Sequence, residues 1–334
     1  MTELLSIYSA DLPPVLEALA ETPPMERLRR VGMNCGCEYT AYPRFRRGRS
    51  YSRWLHSLGV GRIVWRFTGD PAQAAAGLLH DIATPVFAHV VDFLRGDYLT
   101  QEATEAGTRE RIEGSPEIRA VLRRFGLSVD EVADYHRYPL ADNDSPRLSA
   151  DRLEYTLGNA LNYGFLSKEE IAAVYSDLTV CKNEEGAPEL CFRSREAGLR
   201  FARTALACSE VYVSAEDRYA MQRLSELLSA ALGAGLLTEE ALCSDEPTVV
   251  ARLEASSLAG AWRSFCSLHT IRSVPPSASA APPDARAWRR IPAKKRRIDP
   301  LIAGQGRASA LDGAFREALA AFLAAPQTEW ILGE

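Results

Sequence analysis

The sequence predicts an all-α fold that carries one or two small β-hairpins. Three observations lead there. Helix-start signals, with Thr, Asp or Pro ahead of apolar-periodic runs, recur along the chain. Two short apolar-alternating runs, 178–181 and 189–192, flank Asn183-Glu184-Glu185-Gly186, which is a hairpin signal. No glycine pattern of a P-loop or of a dinucleotide-binding βαβ unit is present.

Taken in order, Asp11 with Pro13-Pro14 caps and opens a helix over 15–20, because proline's fixed φ and missing N–H suit a first helical turn. Thr22-Pro23-Pro24 opens a second over 25–31. Residues 38–42 hold β-formers and stop at Pro43, so they make a short strand at best. A basic loop, 44–49, leads into a long helix over 50–67. Gly69-Asp70-Pro71 starts the helix 72–81, and another runs over 85–94. Helices over 102–112, 116–125, 129–135, 149–161 and 168–175 precede the hairpin, and long helices over 194–213 and 215–234 follow it. Residues 274–283 are a Pro/Ser/Ala linker, 286–297 a basic segment and 308–324 an amphipathic helix. The expected organisation is N-terminal helices and basic loop (1–49), a core carrying the site (50–176), a helical extension with the hairpin (177–273), and linker, basic segment and last helix (274–334).

Composition sets the broad class. With 334 residues, 46% hydrophobic and 25% charged, the chain can bury a sizeable core. A net charge of −5 and a pI near 5.7 argue against a surface that tracks nucleic acid. Local basic clusters exist at Arg27, Arg29 and Arg30, at Arg44, Arg46, Arg47 and Arg49, and at 294–297. They read either as phosphate contacts or as solvated charge. The N-terminus lacks a signal-peptide pattern, and no apolar run reaches the roughly 18 residues that span a bilayer, so a cytoplasmic protein with no membrane partner is expected. Seven scattered cysteines, odd in number and without a CxxC pair, predict reduced thiols rather than a disulfide framework or a four-cysteine zinc site.

The chemistry concentrates in few residues. Four of five histidines (His56, His80, His89 and His136, with His269 apart and read as structural) fall within 50–139. His80-Asp81 ends a fully apolar helix, where an imidazole and a carboxylate are costly unless paired or metal-bound. His56 lies on the apolar side of its helix, and Asp151 sits in another amphipathic one. Two nitrogens and two carboxylates suit Mn²⁺, Fe²⁺, Mg²⁺ or Zn²⁺, with positions left for water and a phosphate oxygen. Spacing alone leaves a second reading open, in which the histidines are satisfied core residues.

Four ordered stretches decide between these readings by resemblance. They are ETPPMERLRRVGMNCGCEYTAYPRFRRGRSYSRWLHSLGV, LLHDIATPVFAHVVDF, LSADRLEYTLGNA and KKRRIDPLI. Together they resemble the HD-domain deoxynucleoside triphosphate triphosphohydrolases, the sterile-alpha-motif type included, from about Glu21 to Ile302. The resemblance implies a metal-dependent phosphohydrolase with a small phosphorylated substrate, a nucleotide, and assembly as a homo-oligomer. It gives His56, His80, Asp81 and Asp151 the metal-ligand roles and Arg53 a phosphate contact. His89 and Asp92 match a catalytic pair whose i, i+3 spacing puts both on one helix face. Arg152 and Tyr155 match phosphate- and sugar-contacting positions, and Tyr212 a substrate-facing tyrosine.

The chain also departs from that pattern. Thr84 stands where the family has a histidine near the scissile phosphate, and Gln101 where it has the partner histidine of the catalytic pair. Met33-Asn34 replaces the glutamine-leucine that reads the sugar, and Asn159 replaces an aspartate. His136 reads either as a stand-in for the histidine absent at Gln101 or as a loop histidine. Three functions stay open: a phosphohydrolase for another nucleotide or phosphate ester, a dNTP triphosphohydrolase releasing triphosphate, or a catalytically weak nucleotide-binding regulator.

Overall fold

The computed structural model describes residues 2–46, 51–96, 107–275 and 287–334. It is mostly helical, as expected. Helices α1 (Thr2–Tyr8) and α2 (Pro14–Ala20) pack on a central pair, α3 (Arg53–Thr68) and α4 (Pro71–Leu79). Local chemistry fixes that pair. Ser52 accepts a hydrogen bond from the Leu55 N–H to start α3, which ends at Gly69 with φ 64°. Asp70 accepts from the N–H groups of Ala72 and Gln73, with Pro71 in the first turn of α4. The two helices approach closely because glycines face the seam. A Cβ on Gly77 would lie 3.2 Å from Val64 Cγ2, and one on Gly61 would lie 3.2 Å from the Ala74 carbonyl oxygen. Leu78 is fully buried at this seam. Leu78→Ala is expected to destabilise the fold by about 2–5 kcal/mol, measured by denaturant unfolding.

Next come α5 (Val90–Leu94), α6 (Ala150–Tyr163), α7 (Lys168–Ser176), the hairpin β1 (Leu178–Lys182) and β2 (Pro188–Phe192), and the long helices α8 (Arg195–Tyr212) and α9 (Ala215–Gly233). One apolar cluster joins α1–α4 to α6–α8 through residues such as Leu16, Leu78, Leu157 and Phe201. A second joins the turn before α5 to α9 and the C-terminal strand through Phe87, Leu224, Leu228 and Ile331. The hairpin extends to a four-stranded sheet: β2 runs parallel to β4 (Leu301–Ile302), which pairs with β5 (Gly306–Arg307). A separate antiparallel pair joins β3 (Ile271–Val274) to β6 (Trp330–Gly333). Helix α10 (Gly313–Ala324) precedes that last strand. Among the described residues, no helix is long and apolar enough to cross a membrane.

Several local expectations are corrected. Residues 38–42 form no strand: Cys35 (φ 52°) and Gly36 (φ 82°) turn left-handed into a 3-10 turn at Cys37–Tyr39. The helix expected over 85–94 is only Val90–Leu94, because Phe87 (φ 57°) and Ala88 (φ 44°) break the chain direction first. The helix expected over 308–324 is interrupted at Asp312, whose carboxylate accepts from the Phe315 N–H and starts α10 afresh. Cys181 and Cys191 are joined by a disulfide across the hairpin, contrary to the all-reduced expectation. Most of the 274–283 linker lies outside the described residues.

Candidate metal centre

His56 lies in the first turn of α3, His80 caps the C-terminal end of α4 with Asp81 next to it, and Asp151 opens α6. The fold brings all four together. His56 Nε2 is 3.0 Å from Asp151 Oδ1 and 3.2 Å from His80 Nε2. His80 Nε2 is 3.6 Å from the same Asp151 oxygen. Asp81 Oδ2 lies 3.9 Å from His56 Nε2 and 3.7 Å from His80 Nε2. The histidines and Asp81 are buried.

Hydrogen bonds fix the tautomers. His56 Nδ1 donates to Glu154 Oε2 at 2.6 Å, and His80 Nδ1 donates to the Gly77 carbonyl at 2.7 Å. In the neutral rings, both Nε2 lone pairs therefore point at one spot that Asp151 also faces. Lone pairs and carboxylate oxygens converging in a buried space repel one another unless a cation lies among them, so this donor set fits a divalent metal. Protons answer the same demand. Burial disfavours charging His56, but hydrogen bonds to Asp151 and Glu154 outweigh it and hold the ring's pKa up at about 10. Burial works against the Asp81 carboxylate, yet Arg53 and the two imidazoles overcome it and hold Asp81 far below the usual carboxylate range. Arg53 Nη1 donates to Asp81 Oδ2 at 2.8 Å, and the Thr84 hydroxyl donates to Oδ1 at 2.8 Å.

Glu154 was not among the residues singled out from sequence. It is 2% exposed and also accepts from Tyr51 Oη at 2.5 Å and Tyr8 Oη at 3.3 Å. Its signal was position, three residues after Asp151 on the same helix face. Two glycines leave it room. A Cβ on Gly59 would lie 2.6 Å from Glu154 Cγ, and one on Gly158 would lie 2.3 Å from Tyr51 Oη. Glu154 thus orients His56 and raises its basicity. Glu154→Gln is expected to weaken Mn²⁺ binding about 10- to 100-fold by calorimetric titration; unchanged affinity would remove Glu154 from the centre.

His89 stands just ahead of α5. Its Nδ1 donates to Asp92 Oδ2 at 2.8 Å, and Arg296 Nη2 donates to its Nε2 at 3.1 Å. Burial, reinforced by the charges of Arg296 and Arg53, outweighs Asp92 and lowers the His89 pKa to about 4. The ring is therefore neutral near neutral pH.

The cluster, Arg53 and His89 open into one cavity of about 150 Å³, which Met33, Tyr155 and Tyr212 also line. Lys294 and Arg296 bring two cations to its wall. Arg152 and His136 sit elsewhere, on a neighbouring cavity that shares Asp151 and Tyr155 with the first. Arg152 is held by Asn143 at 2.9 Å and by Asp142 at 3.0 Å, and His136 Nε2 lies 3.7 Å from Asp142. Thr84 is fully buried under Asp81 and does not line the cavity. Gln101 lies outside the described residues. His269 is exposed, with Nδ1 on the Ser267 carbonyl.

No family model matches the chain. It is 27% identical over 246 residues to the Bacillus subtilis protein YdhJ, covering 72% of this chain and 71% of that one. It is 28% identical over 219 residues to the metal-dependent phosphohydrolase cns2 of Cordyceps militaris, covering 63% of this chain and 58% of that protein. To the Bacillus subtilis protein YwfO it is 31% identical over 179 residues, 47% of this chain and 39% of that one. The chain thus spans less than two thirds of the length of the last two. The crystal structure of a phosphohydrolase from Bacteroides thetaiotaomicron superposes with a TM-score of 0.63 at 15% identity, covering 97% and 96% of the two chains. That likeness is one of fold: the mostly helical architecture is shared, and within it this chain builds a buried His/Asp cluster that fits a divalent ion.

Proposed function

We propose that the chain is a metal-dependent phosphohydrolase acting on a nucleotide or related phosphate ester at the His56–His80–Asp81–Asp151 centre. One observation carries this reading: two imidazole Nε2 lone pairs and the Asp151 carboxylate converge within 3.0–3.6 Å in a buried space that opens onto a cavity. Similarity to a protein named a metal-dependent phosphohydrolase supports it. A divalent ion, when bound there, supplies Lewis-acid polarisation of the phosphate and lowers the pKa of water. Arg53, Lys294 and Arg296 supply positive charge to the phosphate and to the charge that develops as the P–O bond breaks. His89, neutral and oriented by Asp92, presents an Nε2 lone pair that takes a proton once the Arg296 guanidinium turns to the phosphate. The proton taken from water then serves the leaving oxygen. Tyr155 and Tyr212 form the wall against which the rest of the substrate lies, and Met33 shapes its entrance. Arg152 acts through Asp142 and Asn143 on the loop beside Asp151.

The test is a product screen of Mn²⁺-supplemented protein against ribo- and deoxynucleoside mono-, di- and triphosphates. Release of orthophosphate from a monophosphate is the expected result. Release of inorganic triphosphate would instead favour the dNTP triphosphohydrolase reading. Metal-loaded protein that turns over no nucleotide in the panel would overturn the nucleotide substrate, favour the nucleotide-binding regulator and move the search to non-nucleotide phosphate esters.

A further inference from the structure

We infer that Asp217 reads a hydrogen-bond donor, an N–H or O–H group, on the leaving group of the substrate; the inference rests on the nucleotide phosphohydrolase reading above. Asp217 is the third residue of α9, 8% exposed and on the cavity wall. Among the described residues its carboxylate has one hydrogen-bonding side chain, the Cys37 thiol, with Sγ 3.7 Å from Oδ2. A thiol is a weak donor. The adjacent Arg218 is turned away, its guanidinium donating to the Val213 and Ile291 carbonyls and pairing with Glu329. A buried carboxyl so poorly partnered is costly to keep. Burial pushes its pKa up to about 8, so near neutral pH the carboxyl is largely protonated and presents a carbonyl oxygen as acceptor beside its own O–H. Such a group on a cavity wall marks a functional position rather than a packing one.

A second buried polar side chain lines the same cavity. Asn159, 4% exposed and lining the cavity, donates its Nδ2 to Tyr212 Oη at 2.8 Å. Its Oδ1 is buried with no hydrogen-bond partner among the described residues. The Asp217 carboxyl therefore awaits a better donor than the Cys37 thiol, and an unmet buried acceptor discriminates strongly against ligands lacking the donor. Around them, Met33, Met221, Tyr155 and Tyr212 offer flat, largely apolar faces that suit a ring. Among the described residues, no hydrogen bond or ion pair joins Asp217 to the His/Asp cluster. A carboxyl has no positive charge to offer a phosphate, so the group it serves is another part of the ligand. A nucleoside carries such donors on its base amine and on its sugar hydroxyls.

The test uses the full, Mn²⁺-loaded chain with Asp217→Leu, which removes both oxygens, and Asp217→Asn, which keeps a carbonyl acceptor. Thermal melts establish that each variant folds, and Asp217→Asn is read alone if the leucine variant does not. The substrates are adenosine 5′-monophosphate, the amine-free purine riboside 5′-monophosphate, ribose 5-phosphate and donor-free p-nitrophenyl phosphate. We expect Asp217→Leu to lower the ratio of kcat/KM for adenosine monophosphate to that for p-nitrophenyl phosphate by about 10- to 100-fold, mainly through KM, and Asp217→Asn to lower it less. If purine riboside monophosphate is spared, the donor is the base amine; if it and ribose phosphate fall equally with adenosine monophosphate, the donor is a sugar hydroxyl. An equal loss on all four phosphates, or no loss, overturns the inference. If the wild type cleaves none of them, the monophosphate hydrolase reading fails by itself. Calorimetric binding of adenosine, which has no phosphate, then decides: a 10- to 100-fold weaker affinity in Asp217→Leu upholds the role of Asp217, and equal or absent binding overturns it.

Discussion

Protein carrying His80→Ala with Asp81→Ala is expected to purify without divalent metal and to lose turnover by more than about 10³-fold, since several kcal/mol of charge stabilisation disappear and each 1.4 kcal/mol is tenfold in rate. Metal content by elemental analysis and turnover on the substrate found in the product screen check this together. The reason is positional. His80 Nε2 and Asp81 Oδ2 lie 3.7 Å apart, on the same side of the cluster as Arg53, so the double substitution empties half of the donor set. It also strands Arg53, a buried cation whose anchoring hydrogen bond is to Asp81, and an uncompensated buried charge costs about 3–5 kcal/mol. Asp151→Asn separates the two effects. Its carboxylate meets both Nε2 atoms, and among the described residues no ion pair ties it to an arginine. That variant is expected to fold and still to bind Mn²⁺ poorly. Full metal content and turnover in both variants would remove the centre from the mechanism.

His89→Ala is expected to keep its metal content and lose about 10²- to 10⁴-fold in kcat, the range that one positioned proton-transfer group supplies. Among the described residues no hydrogen bond or ion pair joins His89 to the four ligands, so metal binding has no reason to change. Its environment sets the protonation state at which it works. Asp92 faces Nδ1, Arg296 faces Nε2, and Arg53 lies near enough to oppose a positive ring. Charging His89 is disfavoured in the folded state. Its contribution to stability is therefore constant above the unfolded imidazole range and is lost as pH falls from there toward about 4. An NMR titration of the ring should show a midpoint near 4. A midpoint in the ordinary imidazole range, or an unchanged kcat in His89→Ala, would remove His89 from proton transfer.

Much of this was legible in the sequence because the relevant physics is local. Ser52, Asp70, Ser149 and Ser194 start helices by capping N–H groups two or three residues away, and that pattern can be read without a fold. The order of His56, His80-Asp81 and Asp151 on successive helices is likewise read from sequence, and the structure brings His56, His80 and Asp151 into one cluster with Asp81 beside the two imidazoles. Features that depend on distant residues were not legible. Glu154 owes its burial to Tyr8 and Tyr51, which reach it from elsewhere in the chain. The short helix after His89 follows from left-handed backbone at Phe87 and Ala88, which are not glycine and announce nothing. The parallel pairing of β2 with β4 rests on Cys191–Leu301 and Phe192–Ile302, too few residues to leave a periodic trace. Cysteine parity argued against any disulfide, but the hairpin register sets Cys181 opposite Glu189 and Cys191 opposite Thr179, which leaves the two cysteines diagonal neighbours that a disulfide joins.

The pairing of β3 with β6 reaches further than its four residue pairs suggest. Ile331 also exchanges two backbone hydrogen bonds with Arg289, both 2.8 Å, and the Gln327 side chain accepts from the Ala293 N–H at 2.6 Å. The segment that carries Lys294 and Arg296 to the cavity is therefore fastened by residues from the final turn of the chain. Any fluctuation that frees β6 loosens that wall, and a ligand gripping the wall must by linkage make the fluctuation rarer. Amide hydrogen exchange at residues 330–333 then becomes a remote gauge of cavity occupancy, slowing as phosphate compounds bind and needing no turnover to be read.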